Sequence, residues 1–440
     1  MANVAETCLE RIGWGRYQKL IFLCSCEAVA TGIGSSMLIS LIITQFPDLT
    51  NANKGVLGSI LNLGLLLAAG YSGRKADKSG RIVLFKKGCY IMMLGLIALT
   101  LSHTFLSLLL SLFIIGLGCG LDMSITNSLL MESIPNSSRK YLALLSVSMN
   151  VGATFVYACA LTIEYFKVIT ITDWRAAAIG FTILHGIFIY LRSFLEEGPV
   201  FLYDKGKIEE MKEVLIKIAK FNGNDSFDID IKDLMEKNNT KKGSFGELFK
   251  APLSTVTFSL TTIFFLTFLS LQGIIMFMPK IIVTENKLEK YVLLSFQQVC
   301  GLPGKFLGAK LIDTSLGRKL TTVLSFFLVA VTLFGFSLAS GFTEYIIASF
   351  AFGNAVNLSV SCLYAITPES YPPSNRSLAF GFMMGISRIG AMISSMTTGK
   401  MLDKHGISAT LSYSAFIFVL AGSASLKLKE TRDDVKLKSK

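Results

Sequence analysis

Charge is what this 440-residue chain has little of: Asp, Glu, Lys and Arg make up 16% of it while 52% is hydrophobic, against about 25% charged in a usual globular domain. A surface facing water on all sides is excluded by that balance, and the chain belongs in a bilayer. There is no Gly-x4-Gly-Lys-Ser/Thr phosphate loop, so ATP-driven pumping has no sequence basis. The three histidines, His103, His185 and His405, are scattered without metal-ligand spacing. No metal, no cofactor and no enzymatic chemistry is therefore expected. Eight cysteines are present, yet no loop expected to face away from the cytoplasm carries a pair, so buried free thiols are expected rather than a disulfide framework. The first apolar stretch is too long for a signal-peptide core and no small-residue cleavage site follows it, so it is expected to be retained.

What fills the chain instead is a series of apolar runs long enough to cross about 30 Å of hydrocarbon at about 1.5 Å per helical residue. Twelve spans are expected: Leu20 to Thr44, Val56 to Tyr71, Val83 to Leu101, Phe105 to Met131, Leu142 to Ile163, Trp174 to Leu195, Leu253 to Met278, Tyr291 to Ile312, Leu320 to Ala339, Tyr345 to Thr367, Leu378 to Thr398 and Ile407 to Leu426. The fold class is an all-α integral membrane protein of two six-helix bundles. Residues 1–195 form the first bundle, 196–252 a linker, 253–427 the second bundle and 428–440 a tail. Within the linker, Ile208, Met211, Leu215 and Ile218 recur at helical spacing until Asn222-Gly223, which predicts an amphipathic helix over 207–221, packed on the bundle ends or lying on anionic lipid. Gly116-Leu-Gly118-Cys-Gly120 has the look of a dinucleotide turn, but it falls inside span four, where small residues allow close helix packing.

The formal +12 charge is unevenly distributed. Lys and Arg gather in the N-terminal segment, the Arg74 to Lys87 cluster, Arg139 and Lys140, the linker, Arg318 and Lys319, Arg376 and the tail, while the opposite loops hold few. By the positive-inside rule both termini face the cytoplasm, in a plasma or organelle membrane. Because the charge flanks the membrane rather than forming one patch, nucleic acid is not a partner.

Two polar signatures each occur twice. Glu132, Pro135 and Arg139 recur as Glu369, Pro372 and Arg376, a shift of 237 residues (369 − 132). Asp77, Gly80 and Arg81 recur as Asp313, Gly317 and Arg318, shifted by 236 and then 237. Such a period implies two structurally related halves, and membrane proteins built that way are most often secondary transporters.

Gly73-Arg-Lys-Ala-Asp77-Lys-Ser-Gly80-Arg81, joining spans two and three, resembles the loop signature of the major facilitator superfamily, with Ile82 in place of a further basic residue. Tyr364-Ala-Ile-Thr-Pro-Glu369-Ser-Tyr-Pro-Pro-Ser-Asn-Arg376, with Ser387-Arg388-Ile-Gly390, Gly301-Leu-Pro-Gly304 and Glu197-Gly-Pro-Val-Phe-Leu202, is similar to the organic cation/anion and synaptic-vesicle-related branch. The resemblance covers almost the whole chain. It implies alternating access, with spans one, four, seven and ten lining a cavity. It also implies a cytoplasmic gate built from Gly73, Asp77, Gly80, Arg81, Glu132, Arg139, Asp313, Gly317, Arg318, Glu369 and Arg376, in which Glu–Arg pairs form across the halves. Two departures matter. The loop after span one is far too short to be the large cysteine-bearing loop of vertebrate organic-ion members, and span seven has Gln272-Gly273 without the Gln-Gln and Asn-aromatic pattern of sugar porters.

Ionisable groups inside spans cost roughly 2.5 to 3.5 kcal/mol each at a helix centre and are seldom left unpaired. Glu27, Asp122 and Arg388 are such groups. Arg388 is either an anchor for an anionic substrate or a partner for Glu27 or Asp122, and the two carboxyl groups serve cation recognition, proton coupling or a structural bond. Gln272 and Tyr364 are polar cavity candidates, while Lys305 and Lys310 lie close enough to the span end to snorkel. The expected function is transport of a small organic solute, an organic ion foremost, with a proton or cation as candidate coupling ion. A sugar porter of the same superfamily and a non-transporting receptor or scaffold are the alternatives.

Overall fold

Glycine and proline decide where the helices of this chain stop and turn. The structure, a computed structural model, describes residues 4–46, 49–167, 171–225, 227, 244–284, 286–372 and 374–431. Among them no strand occurs. The helices are α1 (Val4–Ile12), α2 (Arg16–Gln45), α3 (Asn51–Ser79), α4 (Arg81–Thr100), α5 (Phe105–Ser133), α6 (Leu145–Tyr165), α7 (Asp173–Ser193), α8 (Pro199–Asp204), α9 (Ile208–Phe221), α10 (Ser254–Ile281), α11 (Lys287–Cys300), α12 (Leu302–Leu311), α13 (Gly317–Ser337), α14 (Phe342–Glu369) and α15 (Arg376–Ser425).

Ten of these helices are long and apolar enough to cross a membrane. The 50-residue α15 is two spans joined at Gly406, whose φ of 78° and ψ of −173° interrupt the helix in a region open essentially to glycine alone. The shorter α11 and α12 make one span together, broken at Gly301-Leu302-Pro303 because proline fits the first turn of a new helix. With α15 counted as two spans and that pair as one more, the twelve expected spans are accounted for.

The chain divides into two compact units. Unit 1 comprises Met1–Ser35, Gly64–Gly152 and Ala178–Thr240, and unit 2 comprises Ser36–Leu63, Ala153–Ala177 and Lys241–Lys440.

In unit 1 missing side chains set the helix spacing. A Cβ on Gly95 would strike Ile115, one on Gly118 the backbone of Met92, and one on Gly120 the backbone of Leu65. The glycine run in α5 thus lets α3 and α4 approach closely, the packing device of helices that gain nothing from hydrophobic burial against lipid. At the end of unit 1 nearest the linker, α9 buries Met211, Val214, Leu215 and Ile218. They pack with Ala5 and Leu9 of α1, Tyr17 and Ile21 of α2, and Phe201 and Leu202 of α8. The amphipathic linker helix therefore lies on protein. Asn222 stops it and ties it to α2, accepting from the Tyr17 backbone N–H at 2.8 Å and donating to the Gln18 side chain at 2.9 Å. Sequence reasoning passed over α1, whose Glu10 accepts from both the backbone and the hydroxyl of Ser137 at 2.8 Å.

In unit 2, α10 packs along α15, and the start of α3 joins them. Gly55 faces the Ser395 carbonyl and Gly399 the Asn51 carbonyl, where a methyl group would collide. The Ser59 hydroxyl donates to the Met392 carbonyl at 2.7 Å. Asp403 caps α3, accepting from the backbone N–H groups of Asn51 at 3.2 Å and Ala52 at 3.0 Å and from the Asn51 amide at 2.7 Å. A carboxylate at a helix N-terminus satisfies orphan donors and meets the positive end of the helix dipole.

Candidate functional site

Among the described residues, unit 1 holds four acidic or basic side chains with almost no solvent contact: Glu27 is 4% exposed, Asp122 0%, His185 0% and Arg192 1%. Glu27 comes from α2, Asp122 from α5, and His185 and Arg192 from α7, where a separation of seven residues (192 − 185) puts both on one helical face. Space for Asp122 exists because Gly88 of α4, directly against its Oδ1, has no side chain. Arg192 is the hub. Its Nη1 donates to Asp122 Oδ2 at 2.9 Å and to the Phe85 carbonyl at 3.0 Å, and its Nη2 donates to Glu27 Oε2 at 2.7 Å. The guanidinium also lies 3.9 Å from the Phe85 ring centroid, a cation–π contact in a dry setting. The fork of a guanidinium suits this bridging task, since it offers several donors in one plane. His185 completes the cluster, with Nδ1 2.6 Å from Glu27 Oε1 and Nε2 3.0 Å from the Cys89 carbonyl.

Glu27 and Asp122 thus share Arg192 as an ion-pair partner within unit 1. Sequence reasoning missed Arg192 and His185. Arg192 stands near the predicted end of span six, where a basic residue reads as a topology signal. The seven-residue spacing to His185 was the signal that could have found both.

The doubled signatures build two copies of one arrangement. In unit 1, Gly80 at φ 89° ends α3 and turns the chain into α4. The Arg81 and Ile82 backbone N–H groups then donate to the Glu197 carboxylate at 3.0 and 3.2 Å, and the Arg81 side chain pairs with Glu132 at the end of α5. Burial raises Glu197 above the ordinary carboxylate range, opposed by the N–H groups of Gly198, Arg81 and Ile82. In unit 2, Gly317 at φ 73° starts α13. The Arg318 and Lys319 N–H groups donate to Glu430 at 3.1 and 3.0 Å, and Arg318 pairs with Glu369 at the end of α14. The Thr431 hydroxyl donates to Glu369 at 3.1 Å, and Asp313 stands 4.0 Å from Arg318. Glu197 and Glu430 are therefore third members of each copy. Sequence reasoning missed Glu430 because Lys-Glu430-Thr-Arg bears no likeness to Glu197-Gly-Pro.

Arg81 and Arg318 each pair with the glutamate of their own copy, because the glycine turn sets them beside the end of the neighbouring helix. Arg376 donates its Nε to the Tyr371 carbonyl at 3.1 Å. Gly73 lies within α3, facing open space. The side chains of Asp77 and Arg139 lie outside the described residues.

The remaining candidates belong to unit 2. Tyr364 of α14 is half-buried, stacked on Phe264 with ring centroids 6.1 Å apart and met edge-on by Phe380 at 5.5 Å. Half-buried Arg388, far inside α15, acts electrostatically on the Tyr364 hydroxyl. Gln272 is half-buried on α10, beside Gly273, whose N–H donates to the Ser394 hydroxyl at 2.7 Å.

Twelve apolar spans, charges buried at membrane depth and polar clusters duplicated at matching span ends define a polytopic membrane transporter rather than an enzyme. Residues 25–434 match the family described as "Sugar (and other) transporter", and the chain belongs to that family, within the major facilitator superfamily. It is 26% identical over 389 residues to the niacin transporter NiaP of Acinetobacter baylyi, spanning 86% of this chain and 85% of that one. To the synaptic vesicle 2-related protein of Xenopus laevis it is 24% identical over 451 residues, 96% of this chain and 80% of the other. The fold is similar to the partially occluded, inward-open xylose transporter XylE of E. coli, with a TM-score of 0.77 at 14% identity over 94% of this chain and 98% of that one.

Proposed function

We propose that this transporter, built of two six-helix bundles, 1–195 and 253–427, carries a small organic anion, a compact aromatic carboxylate being the best fit. The reading rests above all on Arg388, a half-buried cation deep in an apolar span that acts electrostatically on Tyr364, whose ring packs with Phe264 and Phe380. A guanidinium binds a carboxylate by two parallel hydrogen bonds, and flat rings hold an aromatic solute. The niacin transporter among its relatives carries a molecule of this kind. Gln272 supplies a further polar contact. Glu27 and Asp122 serve the coupling ion, a proton or a cation, and the two Arg–Glu–Glu copies, with Gly73, Asp77, Arg139, Asp313 and Arg376, form a cytoplasmic gate. Both termini then face the cytoplasm, in a plasma or organelle membrane.

The test is uptake of labelled nicotinate and benzoate into proteoliposomes. Wild-type protein is expected to take up at least one aromatic carboxylate, Arg388→Ala to lose uptake by a hundredfold or more, and Arg388→Lys to retain a fraction. Uptake of neutral sugars with no carboxylate transport, or unchanged uptake by Arg388→Ala, would overturn this reading.

A further inference from the structure

Donors and acceptors around His185 do not balance unless a proton is added. Its Nε2 is 3.0 Å from the Cys89 carbonyl, which can only accept, so Nε2 carries a hydrogen. Its Nδ1 is 2.6 Å from Glu27 Oε1, and an ionised carboxylate also only accepts. A neutral imidazole has one N–H, and Nε2 has taken it. A further proton therefore lies between Nδ1 and Oε1, as imidazolium facing carboxylate or as carboxylic acid facing neutral ring. The Cys89 thiol, 3.3 Å from Nε2, offers a weak donor. Were it to donate there, the bare nitrogen would face the nearer carbonyl lone pairs.

Charge counting also calls for one added proton in the cluster, and the donor count above places it on the His185–Glu27 pair. The titratable groups facing this cluster are Glu27 and Cys24 of α2, Cys89 of α4, Asp122 of α5, and His185 and Arg192 of α7. With thiols neutral, two carboxylates and one guanidinium leave a net charge of −1 in a site almost without solvent contact. One proton brings it to zero. Buried uncompensated charge is strongly disfavoured, whereas a neutral, hydrogen-bonded cluster is tolerated.

We propose that the His185–Glu27 pair is the proton-coupling site, loaded in this conformation, with Arg192 and Asp122 as its fixed counter-charges. The proposal rests on the transport reading and identifies the coupling ion as a proton. Release is the step His185–H⁺···Glu27⁻ → His185 + Glu27⁻ + H⁺, the proton leaving to water. It exposes a net −1 and so belongs to a state in which water reaches the cluster. The Glu27 oxygen that loses its donor has a replacement at hand, because Arg192 Nε makes no hydrogen bond. Proton loss thus converts Glu27 from a bridge between histidine and arginine into a ligand of arginine alone. A monoanion and one proton cross together without net charge, so a gradient of one pH unit sustains about tenfold accumulation.

Two measurements test this. In lipid nanodiscs without substrate, ¹⁵N spectra of histidine-labelled protein at neutral pH are read against His185→Asn, which removes one of only three histidines. Both His185 ring nitrogens are expected to be engaged with protons, and a bare, non-hydrogen-bonded nitrogen would overturn the proposal. In proteoliposomes, His185→Asn and Glu27→Gln are expected to reduce pH-driven accumulation of the carried carboxylate from about tenfold to none while substrate exchange at equal pH continues. Accumulation surviving both substitutions would overturn the coupling role. Failure of wild-type protein to move any carboxylate would instead strike the transport reading, leaving the nitrogen spectra to decide the proton site alone.

Discussion

Arg192 holds two carboxylates and a main-chain carbonyl with one side chain, and its removal takes from Asp122 its ion-pair partner and leaves Glu27 with His185 alone. Breaking a buried ion pair by deleting one partner costs about 3 to 5 kcal/mol. Arg192→Ala is expected to lose at least that much stability, read as a fall in thermal midpoint of the purified protein. Lysine keeps the charge but presents a point donor in place of a planar fork, so Arg192→Lys is expected to recover less than half of the loss. A different outcome is expected when Arg192, Glu27 and Asp122 are all exchanged for apolar residues of similar size. That variant should melt close to wild type while losing pH-driven transport, since clusters of this kind are weak sources of stability. A large loss of stability in the triple variant would show that the cluster is needed for folding rather than for function. Only part of it was legible in advance: Glu27 and Asp122 stood out as acids in apolar runs. Arg192 and His185 did not, because a sequence displays distance from a helix end but not the face a side chain presents.

At the scale of elements, the beginnings of α4 and α13 follow one plan: a glycine with positive φ, then two backbone N–H groups aimed at a glutamate carried in from beyond the sixth span of the same half. The two glycines of the first motif have separate duties. Gly80 adopts φ 89° and ψ 157°, a region costing about 1 to 3 kcal/mol for other residues, and a Cβ there would collide with the Glu197 carboxylate. Gly73 lies within a helix and faces open space. Gly80→Ala is therefore expected to lower stability by about 2 to 4 kcal/mol. Gly73→Ala is expected to be neutral or to stabilise by up to about 1 kcal/mol, as alanine does in helices. Thermal melts of the two single variants decide the matter, and equal losses would contradict this division of duties. The repeat itself was visible because Glu, Pro, Gly and Arg keep their spacing. The capping glutamates were hidden, since a carboxylate accepting from backbone N–H groups constrains neither of its sequence neighbours.

For the whole molecule, the question is whether the two clusters act in one conformational equilibrium or merely cap two separate halves. Their duplication supplies the argument. Arg81–Glu132–Glu197 and Arg318–Glu369–Glu430 have the same parts in the same local geometry, so substitutions at equivalent positions remove equivalent contacts. If alternating access exchanges a state that keeps these contacts for one that loosens them, Glu132→Gln and Glu369→Gln must each shift the populations in the same direction. An equilibrium responds only to contacts that differ between its states. The double variant should then shift by the sum of the two free energies, provided that the sites do not share partners. Spin-label distances between the span ends that carry the two clusters, measured for the wild type, both single variants and the double, report those populations. A shift of about tenfold per substitution corresponds to about 1.4 kcal/mol, within the range of a hydrogen bond involving a charged group. Opposite shifts, or unchanged distances accompanied by lower melting temperatures, would reduce the clusters to static caps and leave the gate to other residues.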